Sequence, residues 1–259
     1  FVMNRFTNAS LDSTLISYET RKPAVGMHEY GGVKLQLVEI PSTTGELEPE
    51  LLSIVRNCDF ILFVAREAGQ AEQIAKTLEN SHIRLNKEPK RIKVVRKPKG
   101  GLVVSGAKRF VGDAKEMKQL LRSSGLHNAE VMLYEKTGLE DIEDFLEEST
   151  AYKKCLVLTN GTFKTELKKV GFSSLMDRIW NVLGLIRVYT KEPGKNKTGE
   201  PLVFGKDSTV KMVGRKIHKD FIRKFRFARV WGKSAKFDSQ MVGLSHHLED
   251  GDVVEFHLR

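Results

Sequence analysis

The sequence contains only two cysteines, Cys58 and Cys155, and no apolar run long enough to span a membrane. Two thiols cannot build a disulfide framework or a four-thiolate zinc site, and a membrane helix needs about 20 mainly apolar residues. Each cysteine lies beside apolar residues, which favours a small core side chain over a reactive thiol. No signal-peptide pattern is present. These absences predict a cytoplasmic protein with no membrane partner.

The sequence also lacks a phosphate loop of the form G-x-x-x-x-G-K-[ST]. The nearest match, residues 101–108, has one residue too many before its lysine and is interpreted as a turn. His246 and His247 are adjacent, so their side chains diverge, and no further ligand lies near them in sequence. No Ser–His–Asp arrangement can be assigned. The sequence therefore predicts no catalytic residue and no metal ligand.

Positive charge is in excess and is concentrated in two blocks. Lysine and arginine number 43 against 33 acidic residues, a net charge of +10. Residues 82–136 carry a net charge of +9 and residues 177–259 one of +7, whereas residues 1–81 and 137–176 are net negative. Concentrated positive charge is typical of proteins that bind a polyanion, most often a nucleic acid. The alternative is a protein that is merely basic.

Three apolar segments predict strands, and two amphipathic segments between them predict helices. The strands are at residues 33–40, 60–65 and 155–159, and the helices at 48–57 and 139–148. The run at 60–65 is apolar throughout, which is typical of a strand buried on both faces. The helix at 139–148 is expected to turn Phe145 inward and its acidic residues, Asp144 among them, to solvent. The alternation of strand and helix predicts a parallel α/β sheet.

Residues 82–136 interrupt this alternation. They contain predicted strands at 92–95, 102–104 and 130–134 and a predicted helix at 114–123. This pattern predicts a compact inserted α+β subdomain that holds the first basic block. Residues 30–32, which include two glycines and precede the 33–40 strand, are predicted to form a hairpin turn.

The last segment has the pattern of a β-grasp, ubiquitin-like fold: two strands, one helix, then further strands. Ser208 is a candidate N-cap for the helix. The apolar face of that helix is predicted to contain Val210, Val213, Ile217 and Phe221.

Two short segments of the α/β region resemble parts of a nucleotide site in which expected side chains are replaced by others. A magnesium site of this kind has an Asp at the end of the 33–40 strand, to bind the metal, and a glycine shortly after it, to contact phosphate. The chain has Glu39 and Ser42 there. Guanine recognition would want an Asn followed by an Asp. Thr159 and Asn160 are present, but Phe163 replaces that Asp and cannot accept hydrogen bonds from the base.

Four motifs in the last segment are highly specific: Gly184-Leu-Ile-Arg-Val-Tyr-Thr-Lys191, Lys216-Ile-His-Lys-Asp220, Val230-Trp-Gly232 and Leu248-Glu-Asp-Gly-Asp-Val253. They resemble the TGS domain of the developmentally regulated GTP-binding (DRG) proteins, within the Obg-class GTPases. The remaining similar segments are residues 1–8, 18–20, 30–42, 83–89, 100–101, 126–131 and 179–180.

This resemblance implies a P-loop GTPase-like parallel sheet, here without its first strand and phosphate loop, an inserted α+β subdomain and a carboxy-terminal TGS domain. The expected boundaries are residues 1–81 with 137–183 for the GTPase-like domain, 82–136 for the insert and 184–259 for the TGS domain. It also implies GTP or GDP with Mg²⁺ as cofactors and a role in translation. The expected partners are the ribosome or its RNA and a regulatory protein.

Two basic patches are the candidate RNA-binding residues. The main patch contains Lys216, Lys219, Arg223, Lys224, Arg226 and Arg229, with the first three expected to form a row along one helix. The second patch contains Arg84, Lys87, Lys90, Arg91, Lys93, Arg96, Lys97 and Lys99, of which Lys90, Arg91 and Lys93 are the candidate RNA-binding residues.

Three functional hypotheses remain open at this point. The first is a ribosome- or RNA-associated protein whose nucleotide site, represented by Glu39, Ser42, Thr159 and Asn160, is impaired. The second is an active GTPase whose phosphate loop lies upstream of the first residue. The third is a protein–protein adaptor without RNA contact, whose association with ribosomes would be insensitive to salt.

Overall fold

The computed structural model describes residues 2–7, 23–41, 47–159, 164–197 and 199–259. Its helices are α1 Val2–Phe6, α2 Pro49–Asn57, α3 Ala68–Asn80, α4 Ala114–Ser123, α5 Leu139–Leu146, α6 Leu175–Leu183, α7 Val210–Ile217 and α8 Lys219–Arg223. Its strands are β1 Ala24–Tyr30, β2 Val33–Glu39, β3 Phe60–Val64, β4 Ile83–Leu85, β5 Ile92–Arg96, β6 Leu102–Ser105, β7 Phe110–Val111, β8 Ala129–Leu133, β9 Thr137–Gly138, β10 Ala151–Leu158, β11 Lys169–Val170, β12 Leu185–Lys191, β13 Leu202–Gly205, β14 Phe225–Trp231, β15 Gln240–Val242 and β16 Val253–Leu258. None of the helices in these described ranges is long and apolar enough to cross a membrane.

The chain divides into two compact units, residues 45–171 and residues 1–44 with 172–259. The predicted domain boundaries stay predictions. The first unit contains a parallel sheet in which β10 pairs with β3, β4 and β11. The second half of β10 is completely buried, as a central strand between parallel neighbours requires. The parallel α/β sheet is therefore confirmed.

The cysteines behave as the sequence predicts for small core residues. Cys155 lies in β10, is 1% exposed, and its sulfur accepts a hydrogen bond from Asn86 Nδ2 at 3.1 Å. Burial raises the pKa of the Cys155 thiol to about 11. Burial also raises the pKa of Cys58, which is half-buried. Both thiols are therefore protonated and unreactive at neutral pH.

The prediction that the strand at 60–65 is buried on both faces is wrong. Phe63 is 3% exposed, but the next residue, Val64, is 58% exposed. The reason is position: β3 is the terminal strand in the described order β11-β10-β3. A terminal strand leaves one edge and part of one face open.

The predicted turn at residues 30–32 is confirmed. It joins β1 and β2 into an antiparallel two-stranded sheet, with Tyr30 opposite Val33. Gly31 and Gly32 both have positive φ angles, +57° and +81°, which a two-residue hairpin turn favours. The alternation of strands and helices predicts residues 33–40 in the parallel sheet. Instead, β2 forms a two-stranded sheet with β1, because this turn returns the chain directly along the preceding strand.

The predicted insert has its own sheet. Strand β8 lies between β5, which is antiparallel to it, and β6, which is parallel to it. Helix α4 covers one face, and its Met117 and Leu121 pack with Val131 of β8. Ile142 of α5 belongs to the same core, so the insert and α5 share one hydrophobic cluster. The predicted strands and the helix at 114–123 are confirmed.

The side chains of α5 depart from the predicted pattern. Phe145 is 39% exposed and Asp144 is only 7% exposed, the reverse of the expectation. Asp144 is buried because the Arg84 guanidinium of β4 binds it: Nε lies 2.8 and 2.9 Å from the two carboxylate oxygens, and Nη2 lies 2.6 Å from Oδ1. This hydrogen bonding raises the pKa of Arg84 further.

The carboxy-terminal segment forms a five-stranded sheet in the order β13-β12-β16-β14-β15, with β12 and β16 parallel. Helix α7 packs Val210 and Val213 on one face of it, as the β-grasp prediction requires. Two details are corrected. Thr209, not Ser208, precedes the helix as its N-cap residue. Ile217 is 37% exposed, because α7 ends there.

Candidate nucleic-acid interface

The helical side of the β-grasp segment contains two short helices where the sequence predicts one. His218 separates them with extended backbone, φ −161° and ψ 138°, and its Nδ1 accepts a hydrogen bond from the Asp220 N–H at 3.1 Å. Gly214 explains the arrangement: a Cβ at this position would lie 3.1 Å from both Ile222 and Phe256. Without a side chain there, α8 packs against the end of α7, and the predicted row of basic residues is divided between two helices.

Four basic residues of the predicted main patch belong to this pair of helices and are all exposed. They are Lys216, Lys219, Arg223 and Lys224, the last of which directly follows α8 as its C-cap residue. Lys216 Nζ lies 5.2 Å from the ring centre of Phe204, so its aliphatic part crosses the edge of the sheet. Arg223 Nη1 lies 3.8 Å from Asp220 Oδ1, a loose exposed ion pair. We name these four residues the helical basic surface. Its cations outnumber its acidic neighbour and are available to phosphate groups.

Arg226 and Arg229 are exposed residues of β14, outside the two helices. Residues Ala228 and Val230 of the same strand face the core. Because side chains alternate along a strand, Arg229 lies on the sheet face opposite α7. Phe225 packs against the core.

The second predicted patch is partly neutralised. Lys90 Nζ lies 3.9 Å from Glu135, and Arg91 lies over the Tyr134 ring at 5.4 Å. Lys93 is exposed on β5. Arg84, also predicted in this patch, is held by the buried Asp144 carboxylate. The insert therefore presents less available positive charge than its sequence predicts.

The residues of the predicted nucleotide site are described only in part. Glu39 is the last residue of β2, in one compact unit, and Thr159 directly follows β10, in the other. The Thr159 N–H donates to the carbonyl of Val170 at 3.2 Å. Ser42 and Asn160, and Phe163 with them, lie outside the described residues. Within the described ranges, no group of three His, Cys, Asp or Glu side chains is positioned to hold a metal ion.

A polar cluster around Arg187 escapes prediction from the sequence. The Arg187 guanidinium lies 5.6 Å from the Tyr30 ring centre and 5.5 Å from that of Trp180. Its Nε and Nη2 donate to Asp250 at 3.0 and 2.5 Å. The Tyr30 hydroxyl donates to Asp177, and this hydrogen bond raises the pKa of Tyr30. The cluster attaches the β1–β2 hairpin to the β-grasp segment. Its members are distant in sequence, so no local pattern indicates it.

We expect the Arg187 cluster to make stability fall in acid. Hydrogen bonds from Arg187 hold the pKa of Asp250 below its ordinary value. A carboxyl with a lowered folded-state pKa stabilises the protein above its unfolded-state pKa of about 4 and loses that contribution as pH falls through the folded-state value. Replacing Asp250 by Asn should cost about 1 kcal/mol at pH 7. In urea unfolding, the difference from wild type should shrink below about pH 4. An unchanged difference at low pH would contradict this.

Comparison with known proteins gives consistent findings. The TGS domain family matches residues 186–258. An uncharacterised GTP-binding protein of Methanocaldococcus jannaschii is 33% identical over 98% of this chain and 73% of its own length. A similar protein of Halobacterium salinarum is 32% identical over 98% and 78%. Developmentally-regulated G-protein 3 of Arabidopsis thaliana is 29% identical over 98% and 77%.

Proposed function

The chain belongs to the Obg/DRG family of GTP-binding proteins, and from this membership we propose that it binds ribosomal RNA through its TGS domain and acts in translation in the cytoplasm. The observation that carries the proposal is the helical basic surface: four exposed cations on two short helices, with Asp220 as their acidic neighbour. Lysine and arginine side chains in this arrangement neutralise phosphates and release counterions.

The charge of the rest of the molecule favours the TGS domain over the insert. In the insert, Lys87, Lys90 and Lys97 lie within 4 Å of a carboxylate. Of the four residues of the helical basic surface, one, Arg223, has such a contact among the described residues. A cation that already has an acidic partner gains less from a phosphate, because the existing pair must be broken or shared. We therefore assign the insert's Arg91 and Lys93 a secondary contribution to RNA binding.

We expect that replacing Lys216, Lys219, Arg223 and Lys224 together by Gln weakens binding to a fluorescein-labelled ribosomal RNA hairpin by about two orders of magnitude near physiological salt. The slope of log affinity against log salt should decrease by about three, since each phosphate contact contributes about 0.7–0.9. Fluorescence anisotropy over a KCl titration measures both quantities.

The control variant replaces four exposed lysines elsewhere in the same domain, Lys195, Lys206, Lys233 and Lys236, by Gln. It loses the same formal charge, so a non-specific effect of net charge would weaken both variants equally. Equal losses would exclude the helical basic surface as the binding site. Binding that is weak and insensitive to salt would instead support a protein–protein adaptor.

We further propose that nucleotide binding is impaired. Glu39 and Ser42 stand where a magnesium-binding Asp and a phosphate-contacting glycine are expected, and Phe163 stands where a guanine-binding Asp is expected. A base site that loses a bidentate carboxylate loses several kcal/mol of affinity, roughly in the range 2–5. The names of the relatives, GTP-binding proteins, favour a second candidate, an active GTPase.

Calorimetric titration of the chain with GTP, GDP and ATP in the presence of Mg²⁺ separates these two candidates. We expect no preference for GTP over ATP, because no carboxylate at residue 163 reads the guanine edge. Tight, Mg²⁺-dependent and GTP-specific binding would contradict the impaired site and support the active GTPase.

A further inference from the structure

The outer face of the TGS sheet, opposite α7, has an unusual composition. Side chains of Ile186, Val188, Val230 and Val254 point into the core. The residues between them in each strand therefore point outward. These outward residues are aromatic or basic in most positions: Tyr189, Lys191, Arg229, Trp231 and His257.

Strand register arranges these residues in rows. Val253 of β16 pairs with Tyr189 on one side and Trp231 on the other, so two rings flank a small aliphatic residue. Two residues along, Glu255 pairs with Lys191 and with Arg229. An aromatic row is therefore followed by a basic row about 6.7 Å away, two residues along the strands.

The rings of the aromatic row are covered by lysine side chains and not by core packing. Lys191 Nζ lies 4.2 Å from the ring centre of Trp231. Lys197 Nζ lies 4.2 Å from the ring centre of Tyr189. The side chain of Lys197 is flexible enough to move off the Tyr189 ring, and its ammonium would then lie next to the group that replaces it. Lys191 is also bound to Glu255, so its ammonium stays beside that carboxylate.

The charge of this face is net positive. Glu255 is 4% exposed and already holds Lys191, at 3.1 Å, and His257, at 2.6 Å. Arg229 is exposed and has no ion-pair partner among the described residues. The acidic group is thus enclosed by its partners, and the outermost charges on this face are cations.

We propose that this outer sheet face binds single-stranded RNA, with bases stacked on Trp231 and Tyr189 and phosphates on Lys197 and Arg229. A single strand is the occupant because a flat aromatic ring can stack only on an unpaired, accessible base, whereas a duplex presents mainly phosphates to such a face. The inference rests on the proposed RNA-binding function and adds a second, base-contacting site to it.

The contributions of lysine–ring and base–ring contacts can be compared to ask whether a base would replace a lysine on each ring. A lysine over an aromatic ring at a solvent-accessible site contributes about two- to fivefold to an equilibrium. A base stacked on the same ring contributes about 5- to 150-fold. At Tyr189 a base therefore displaces Lys197 with a net gain, and the displaced ammonium becomes a phosphate contact. At Trp231 the gain is smaller, because Lys191 is also bound to the buried Glu255 carboxylate.

Tryptophan fluorescence tests the proposal, because the described residues contain one tryptophan on this face and one, Trp180, that is 5% exposed. The titrant is an oligouridylate RNA, with an RNA duplex of equal length as the comparison. In Trp180→Phe, oligouridylate should quench the remaining Trp231 emission. In Trp231→Phe, quenching should disappear while affinity stays within about threefold, because the ring that stacks is kept.

Affinity is measured separately by anisotropy of labelled oligouridylate. Tyr189→Ala should weaken binding about tenfold, and Lys206→Ala, an exposed substitution away from this face, should leave it unchanged. If oligouridylate fails to quench Trp231, or if the duplex binds as tightly as the single strand, the proposal is wrong. If the ribosomal RNA hairpin still binds through the helical basic surface in that case, only this inference fails. If neither RNA binds, the proposed function fails with it.

Discussion

Replacing Arg84 by Ala is expected to lower the free energy of unfolding by about 3–5 kcal/mol. The guanidinium makes three close contacts with the Asp144 carboxylate, whose side chain is 5% exposed. Removing the cation leaves a nearly buried carboxylate without its charge partner, and the protein must either hydrate it or protonate it. Urea unfolding followed by circular dichroism measures the loss.

Two comparison variants make this expectation specific. Lys87→Ala breaks an ion pair with Glu140, which is on the same helix as Asp144. The side chains of Lys87 and Glu140 are 52% and 82% exposed. The substitution should cost less than about 0.5 kcal/mol, because exposed pairs are screened by water. The double variant Arg84→Met with Asp144→Leu should recover most of the stability, since it leaves no buried charge. A cost for Arg84→Ala no larger than that for Lys87→Ala would show that the pair is not a stabilising contact.

Replacing Gly232 by Ala is expected to destabilise the protein by about 3–5 kcal/mol. Gly232 has a φ angle of +126°, which residues with a side chain rarely adopt. A Cβ there would also lie 2.4 Å from Asp252 Oδ1 and 3.0 Å from Asp252 Cα. Asp252 is fully buried, and its carboxylate accepts a hydrogen bond from the Glu249 N–H at 2.8 Å. Moving Asp252 would therefore disrupt the loop that precedes β16.

The matched control is Gly243→Ala in the same domain. Gly243 lacks a positive φ angle, and no atom lies within 4 Å of its Cβ position. This substitution should be neutral or slightly stabilising, because Ala restricts the unfolded chain. Thermal unfolding of both variants compares them directly. Similar midpoints for the two would show that residue 232 tolerates a side chain.

Much of the local structure follows from patterns a few residues long. The helix at 114–123 and the Gly31–Gly32 turn are confirmed at their predicted positions. Spacing of apolar residues and the backbone freedom of glycine act locally, so their effects can be predicted without the rest of the chain.

The two errors in side-chain direction have a common cause. Phe145 and Ile217 each fit an apolar helical face, yet both are exposed. In the first case, Arg84, 60 residues away, draws Asp144 inward. In the second, the helix ends and Ile222 of the next helix takes the space over Gly214. Periodicity predicts which residues share a face but not which residue from elsewhere competes for the core.

The candidate site shows the same division. Sequence reasoning found the helical basic surface because its charges cluster along the chain, and it grouped Arg229 with them for the same reason. The structure places Arg229 on the opposite side of the sheet, on the same face as Lys191 and Trp231, because β14 turns alternate residues to opposite faces. The aromatic and basic rows of that face come from β12, β14 and β16, so only strand pairing brings them together.

The sequence alone determined the family, the parallel sheet, the β-grasp segment and the places where positive charge is concentrated, since each depends on motifs, short-range periodicity or composition. Tertiary structure decided which charges are available. It neutralised Arg84 with a carboxylate 60 residues away, attached the β1–β2 hairpin through Arg187, and assembled Tyr189 and Trp231 on one face. These outcomes depend on partners distant in the chain, whose proximity follows from strand register and core packing and not from any local pattern.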